Sequence, residues 1–227
     1  MSAGAAQATD DLAARNEIVW EPGPEHLERS RLLKFMRRFG IKDLPELQKR
    51  SVENPSWFWE AVLQDIGWEW RQRPTAMLDT SAGLAWSRWF VNGRVNYTTN
   101  ALDKHVRSSD RNKLALIWEG EDGKVRRLTY RETLEEVNRL ANGLRSLGVG
   151  KGDRVGLFMP LTPEVGIASL ACSRIGAIYT PIFSGYAASA VASRLQDCEA
   201  KVLITADGFY RRGNVVSMKE TADSAVA

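Results

Sequence analysis

The sequence predicts an α/β protein, with a helical N-terminal cap followed by a doubly wound, mainly parallel sheet. Three observations carry that expectation. From Asn112 onward, short β-rich runs alternate with amphipathic helical runs, the order from which a parallel sheet wound with helices is built. The run "RVGLFMP" and, after it, "AIYTPIF" are apolar without alternation, the pattern of strands buried on both faces. Before Asn112 the pattern is irregular helix, and six of the eight tryptophans fall between Trp57 and Trp89.

In the first part, "GPEHLERSRLLKFMRRFGI" places Leu27, Leu32, Leu33, Met36 and Phe39 near a helical period, and Gly40 marks the stop. Shorter helices are expected at "LPELQKRSVE" and "PSWFWEAVLQDI". The tryptophans read as the apolar surface of a cap against a core; Arg and Lys are too sparsely interleaved with them for a base-stacking platform. The segment 21–111 is taken as the cap, 1–20 as a disordered tail, and 112–227 as an α/β subdomain.

In the second part, "LALIWEG" and "KVRRLTY" flank "EDGK", whose Asp122-Gly123 is a hairpin signal. Thr129 and Glu132 stand three apart as a capping box. They open a helix striped by Leu134, Val137, Leu140, Ala141, Leu144 and Leu147 and ended by Gly148. After the strand "RVGLFMP" comes the helix "TPEVGIASLACSRIG", with Thr162 as cap, Pro163 in its first turn and Gly176 as stop. The strand "AIYTPIF", the helix "ASAVASRLQDCEA" and the strand "KVLITA" complete the alternation.

Composition narrows the function classes. With 227 residues, 44% hydrophobic and 26% charged, the chain can bury one substantial core or two small ones. Thirty-one basic residues against 28 acidic ones leave +3, interleaved rather than blocked, so nothing favours nucleic acid or a membrane as partner. Cys172 and Cys198 lie among small and apolar residues at no metal-ligand spacing and read as reduced core cysteines. The start "MSAGAAQATDDLAARNE" is acidic and lacks the basic and apolar regions of a signal peptide. With no apolar run of spanning length, a cytoplasmic location is expected.

Ligands of wound parallel sheets sit beyond the carboxyl ends of the strands. Two segments belong there. "SGY" follows "YTPIF", and its Gly185 leaves backbone N–H groups open to an anion ahead of a helix. "DGFYRRGN" follows "VLITA" and brings Arg211 and Arg212, whose guanidinium forks suit phosphate. The alternative is an ordinary turn and a solvated corner. "GVGKGD" is no dinucleotide fingerprint, because it follows a helix and precedes a strand, and no Ser or Thr follows its lysine as a P-loop requires. His26 and His105 stand alone, without a nucleophile at a useful spacing. No catalytic residue and no metal site are assigned.

"WSRWFVNGRVNYTTNALDKHV" and the continuous stretch from "LTYRETLEEVNRLANGLRSLGVGKGD" through "GFYRRGN" strongly resemble the N-terminal part of AMP-forming acyl-CoA synthetases, in particular the acetyl-CoA and propionyl-CoA synthetase branch. The resemblance runs from about Trp57 to the end of the chain and implies the first half of the doubly wound sheet of an adenylate-forming domain. It implies a ligase in which a small carboxylate and ATP with magnesium form an acyl-adenylate, from which coenzyme A displaces AMP. Carried over by position, Gly185 and Arg211 lie near the 3′-phosphate of coenzyme A, with Arg212 adjacent, while Asn214 stands where many relatives carry a second basic residue.

The family's phosphate loop, acyl pocket and catalytic lysine have no counterpart in this sequence. The chain is therefore expected to be a truncated N-terminal fragment, inert alone and holding no cofactor tightly. The other two readings are a stand-alone coenzyme A or nucleotide module and a partner-binding piece. An open sheet with its second half missing exposes an edge available for association and favours the fragment.

Overall fold

The computed structural model describes residues 18–227, so the expected tail at 1–20 lies almost wholly outside the described residues. The described residues divide into two compact units, one formed by 18–67 with 77–88 and the other by 68–76 with 89–227.

The first unit is helical, with α1 (Pro24–Arg29), α2 (Arg31–Arg38), α3 (Leu44–Glu53) and α4 (Pro55–Asp65). The single helix expected over 24–39 is broken at Ser30. Its backbone is extended (φ −60°, ψ 130°), and its hydroxyl accepts the Leu33 N–H, so one residue ends α1 and caps α2. Leu27 and Leu32 are consequently exposed while Phe35 and Met36 are buried, in a cluster with Ile41, Leu47 and Ala61. Gly40 does stop α2. At φ +66° it lets the Ile41 N–H reach back to the Met36 carbonyl at 2.8 Å. Asp43 and Asn54 cap α3 and α4. Trp57 packs on the cluster under the Arg50 guanidinium, 3.6 Å from its ring, whereas Trp86 is exposed.

The second unit holds the sheet. Short strands β1 (Ala76–Asp79) and β2 (Arg88–Val91) lie where the chain passes between the units. The hairpin of β3 (Leu114–Glu119) and β4 (Val125–Thr129) then pairs antiparallel. It turns through Gly123 at φ +73°, with the Gly120 N–H donating to the Lys124 carbonyl. Thr129 and Glu132 form the capping box that starts α5 (Tyr130–Ser146): each side chain accepts the other's backbone N–H. Val137, Ala141 and Leu144 bury the expected stripe. Leu147 does not. It is the C-cap, 64% exposed, because the chain leaves helical geometry one residue before the left-handed Gly148 and swings its side chain off the stripe.

Strands β5 (Arg154–Phe158), β6 (Ile178–Ile182) and β7 (Val202–Thr205) form a parallel sheet in the order β6-β5-β7, connected by α6 (Pro163–Ile175) and α7 (Ala188–Asp197). β5 is central and alternates between two cores. Val155 and Leu157 join α5 and α6 on one face, while Phe158 joins Ile182, Val191 and Leu195 on the other. The sheet is therefore wound on both faces, as expected of its class. β6 departs from the expectation of a strand buried on both faces: Ile178, Tyr179 and Pro181 are exposed, because β6 is an edge strand and pairs with β5 alone. Pro181 suits an edge, having no N–H to give to a further strand. Thr162 occupies the N-cap of α6, but its side chain makes no capping hydrogen bond. Gly176 ends α6 in the left-handed conformation.

Past β7, "GFYRRGN" is not a loop. β8 (Gly208–Arg211) and β9 (Asn214–Ser217) pair as a hairpin, and α8 (Lys219–Val226) follows, packing Ala222 into the core of α7. The turn residues Arg212 and Gly213 both have positive φ (52° and 76°), the two-residue turn whose twist matches a hairpin. An arginine where Asn or Gly is usual hid it from the sequence.

A candidate anion-binding cleft

Because β5, β6 and β7 are parallel, their carboxyl ends share one edge. A cleft of about 580 Å³ opens there. Pro160–Thr162 after β5 and Phe183–Ser184 after β6 line it, together with Gly208–Arg211 of β8 and the β3–β4 hairpin from Trp118 to Lys124. The β3–β4 hairpin is tied to the sheet at two points. The Trp118 indole Nε1–H donates to the Leu161 carbonyl at 2.8 Å, and Arg126 pairs with Glu164 at the start of α6.

Of the residues expected to form an anion site, Arg211 lines the cleft, whereas Gly185 and Arg212 are not among its lining residues; Ser184, next to Gly185, is. Gly185 lies next to Ser184 in a tight turn closed by the Tyr186 N–H on the Phe183 carbonyl at 3.0 Å. Its lack of a side chain has a local cause as well, since a Cβ there would sit 2.6 Å from the Phe183 ring. Arg211 is exposed, and its guanidinium has no carboxylate partner among the described residues. Arg212 belongs to the hairpin tip. Its backbone N–H and that of Gly213 donate to Glu121 Oε1 and Oε2 at 3.0 and 3.3 Å, and Asn214 Nδ2 donates to the Arg212 carbonyl at 3.3 Å.

The charge of the cleft is local. Glu119, Glu121 and Asp122 face it along with Lys124 and Arg211. Asp122 and Lys124 pair at 2.7 Å, a contact that holds the carboxyl below and the ammonium above their usual ranges. Glu121 is spent on the hairpin tip. Attraction for an anion is therefore concentrated at Arg211 rather than spread over the lining. Glu121 was not legible as a site residue, because only the fold brings it to a turn 91 residues away.

The other chemically capable residues are accounted for structurally. Asp103 takes both guanidinium nitrogens of Arg174 at 2.9 and 3.1 Å, and Arg174 also donates to the buried Thr98 hydroxyl. His105 stacks on Tyr130, with ring centroids 4.5 Å apart. His26 meets the edge of Trp20. Cys172 is fully buried and Cys198 partly so, and both are free thiols. Among the described residues no three His, Cys, Asp or Glu side chains converge as a metal-ligand set, and no helix is long and apolar enough to cross a membrane.

Comparison with known proteins bears on the family and the fold. The family described as AMP-binding enzyme matches residues 102–226, and that described as acetyl-coenzyme A synthetase N-terminus matches 44–101. The chain is 46% identical over 181 residues to an acetyl-coenzyme A synthetase of Deinococcus radiodurans, covering 78% of this chain and 27% of that one. It is 44% identical over 188 residues to a 3-hydroxypropionyl-coenzyme A synthetase of Metallosphaera sedula, covering 83% and 28%. A solved acetoacetyl-CoA synthetase from Streptomyces lividans superposes with a TM-score of 0.83 at 26% identity, over 91% of this chain and 32% of that one. The chain thus spans 27 to 32% of the length of these relatives. With one family covering the whole sheet and the other the segment before it, the chain belongs to the AMP-binding enzyme family and matches the N-terminal portion of its acyl-CoA synthetases.

Proposed function

We propose that the whole protein is an AMP-forming ligase that joins a small carboxylate to coenzyme A at the expense of ATP, and that this chain contributes the seat for the 3′-phosphate of coenzyme A. The observation that carries the reading is the cleft at the carboxyl edge of the parallel sheet, lined both by the turn after β6 and by the end of β8, whose Arg211 has no carboxylate partner among the described residues. The backbone of Ser184 and the exposed Gly185, with the Arg211 fork, suits a phosphate dianion. Arg212 contributes through its backbone. ATP, its magnesium and the carboxylate are not assigned to this cleft, whose lining offers no second cluster of cations for a triphosphate.

One charge-assisted contact contributes about 1.5 to 3 kcal/mol, against about 8 for micromolar affinity, so the chain alone binds coenzyme A at millimolar level or weaker. The test is an amide-shift titration with coenzyme A and with dephospho-coenzyme A, which lacks the 3′-phosphate. Shifts at Gly185 and Arg211, stronger for coenzyme A and lost in Arg211→Ala, are expected. Equal response to both ligands, or full binding by Arg211→Ala, would refute the assignment. Micromolar affinity would make the chain a self-sufficient binding module instead.

A further inference from the structure

The contact between Glu121 and the β8–β9 turn joins two parts of the cleft lining that lie 91 residues apart in the sequence. A left-handed conformation is unfavourable for a residue with a Cβ, and Arg212 adopts it at φ +52°. Such a turn holds one shape only when its surroundings over-determine it. Here two consecutive N–H groups, at Arg212 and Gly213, aim at one carboxylate and take one oxygen each. Hydrogen bonds to an ionised acceptor are roughly twice as strong as neutral ones. The carboxylate sits on the Gly120–Lys124 turn, which is anchored through Trp118 to the loop after β5 and through Arg126 to α6. Arg211, directly before the turn, is the last residue of β8 and pairs with Asn214 across it. The direction of the Arg211 side chain therefore depends on the shape of the next two residues.

We propose that Glu121 is a positioning residue. Its carboxylate clamps the Arg212–Gly213 turn to the β3–β4 hairpin and thereby fixes both the width of the cleft and the aim of the Arg211 guanidinium at an anionic ligand. This rests on the phosphate seat proposed above. It goes further by assigning the geometry of that seat to a residue that does not touch the ligand. It also gives one of the cleft's carboxylates a structural use, since its two oxygens accept from backbone donors of the turn.

The test uses the full chain with Glu121→Gln and Glu121→Asp, and with coenzyme A and dephospho-coenzyme A as probes. In the ligand-free protein, Glu121→Gln should speed exchange of the Arg212 and Gly213 amides while core amides of β5 and the far-ultraviolet circular dichroism stay unchanged. The preference for coenzyme A over its dephospho form should fall from about tenfold to about twofold, the loss of one or two ionic hydrogen bonds acting through Arg211. Glu121→Asp should recover part of it. An unchanged preference in Glu121→Gln, or tighter binding, would overturn the positioning role, because a mere tether would leave selectivity alone and an anion competitor would raise it. If the unmodified chain shows no preference, the phosphate seat itself fails and the positioning role falls with it; the amide exchange in Glu121→Gln still reports whether the clamp exists.

Discussion

Gly156→Ala probes the sheet that carries the cleft. Gly156 lies in the middle of β5, paired to Thr180 of β6 and Leu203 of β7. Its φ is not positive, so alanine meets no backbone penalty, and reduced freedom of the unfolded chain would by itself stabilise by about 0.4 to 1 kcal/mol. Space decides otherwise. An added Cβ would stand 2.5 Å from Leu195 Cδ2 and 3.1 Å from Leu203 Cδ1, with Ile182 Cδ1 at 3.7 Å. Relieving the nearest contact requires about 1 Å of movement toward an ordinary carbon separation. Leu195 is 9% exposed and packed with Val191 and Phe158, so moving its methyl disturbs that packing. Overpacking of this kind costs about 1 to 3 kcal/mol net of what the methyl gains, and we expect about 1.5 for Gly156→Ala.

Urea denaturation followed by circular dichroism measures it. Leu195→Val alone should cost about 1 kcal/mol, by analogy with other single-methylene deletions. In the double variant, however, it opens the space that the alanine needs, so the pair should cost at least about 0.5 kcal/mol less than the sum. A Gly156→Ala protein as stable as the parent, or strict additivity of the two changes, would refute this account of the second core.

Two further outcomes are expected. Thr129→Ala removes the cap of α5 and should cost about 1 kcal/mol, with faster amide exchange confined to the first turn. The pH dependence of that cap has a definite sign: the backbone and hydroxyl of Thr129 hold the Glu132 carboxyl below its usual value of 4.5. Its stabilisation is therefore complete above pH 4.5 and lost as pH falls through the lowered value in the folded state. A cap effect undiminished well below that range would contradict the assignment. Burial pushes the Cys172 thiol up to about 11, so at pH 8 a disulfide reagent should titrate Cys198 in the native protein and both thiols only after urea. Rapid native labelling of Cys172 would show that α6 opens.

Local chemistry determined much of this protein from the sequence alone. Thr129 and Glu132 mark a helix start because the capping box is complete within four residues, and Gly40, Gly148 and Gly176 mark helix ends because only backbone without a Cβ enters the left-handed region freely. The alternation of apolar runs and striped helices predicted the wound parallel sheet, since each run is long enough to carry its own period. What depended on neighbours far along the chain was not legible. Ser30 could have stayed inside a longer helix, and its role as cap was decided by the packing of Phe35 and Met36. The apolarity of β6 resembled that of β5, yet only strand order made one an edge and the other a centre. The candidate site divides the same way. Gly185 and Arg211 follow strands whose order along the chain the sequence implied, but the β8–β9 hairpin that carries Arg211 was not legible. Glu121 could be found only in three dimensions, because a hydrogen bond across 91 residues leaves no local pattern for a sequence to show.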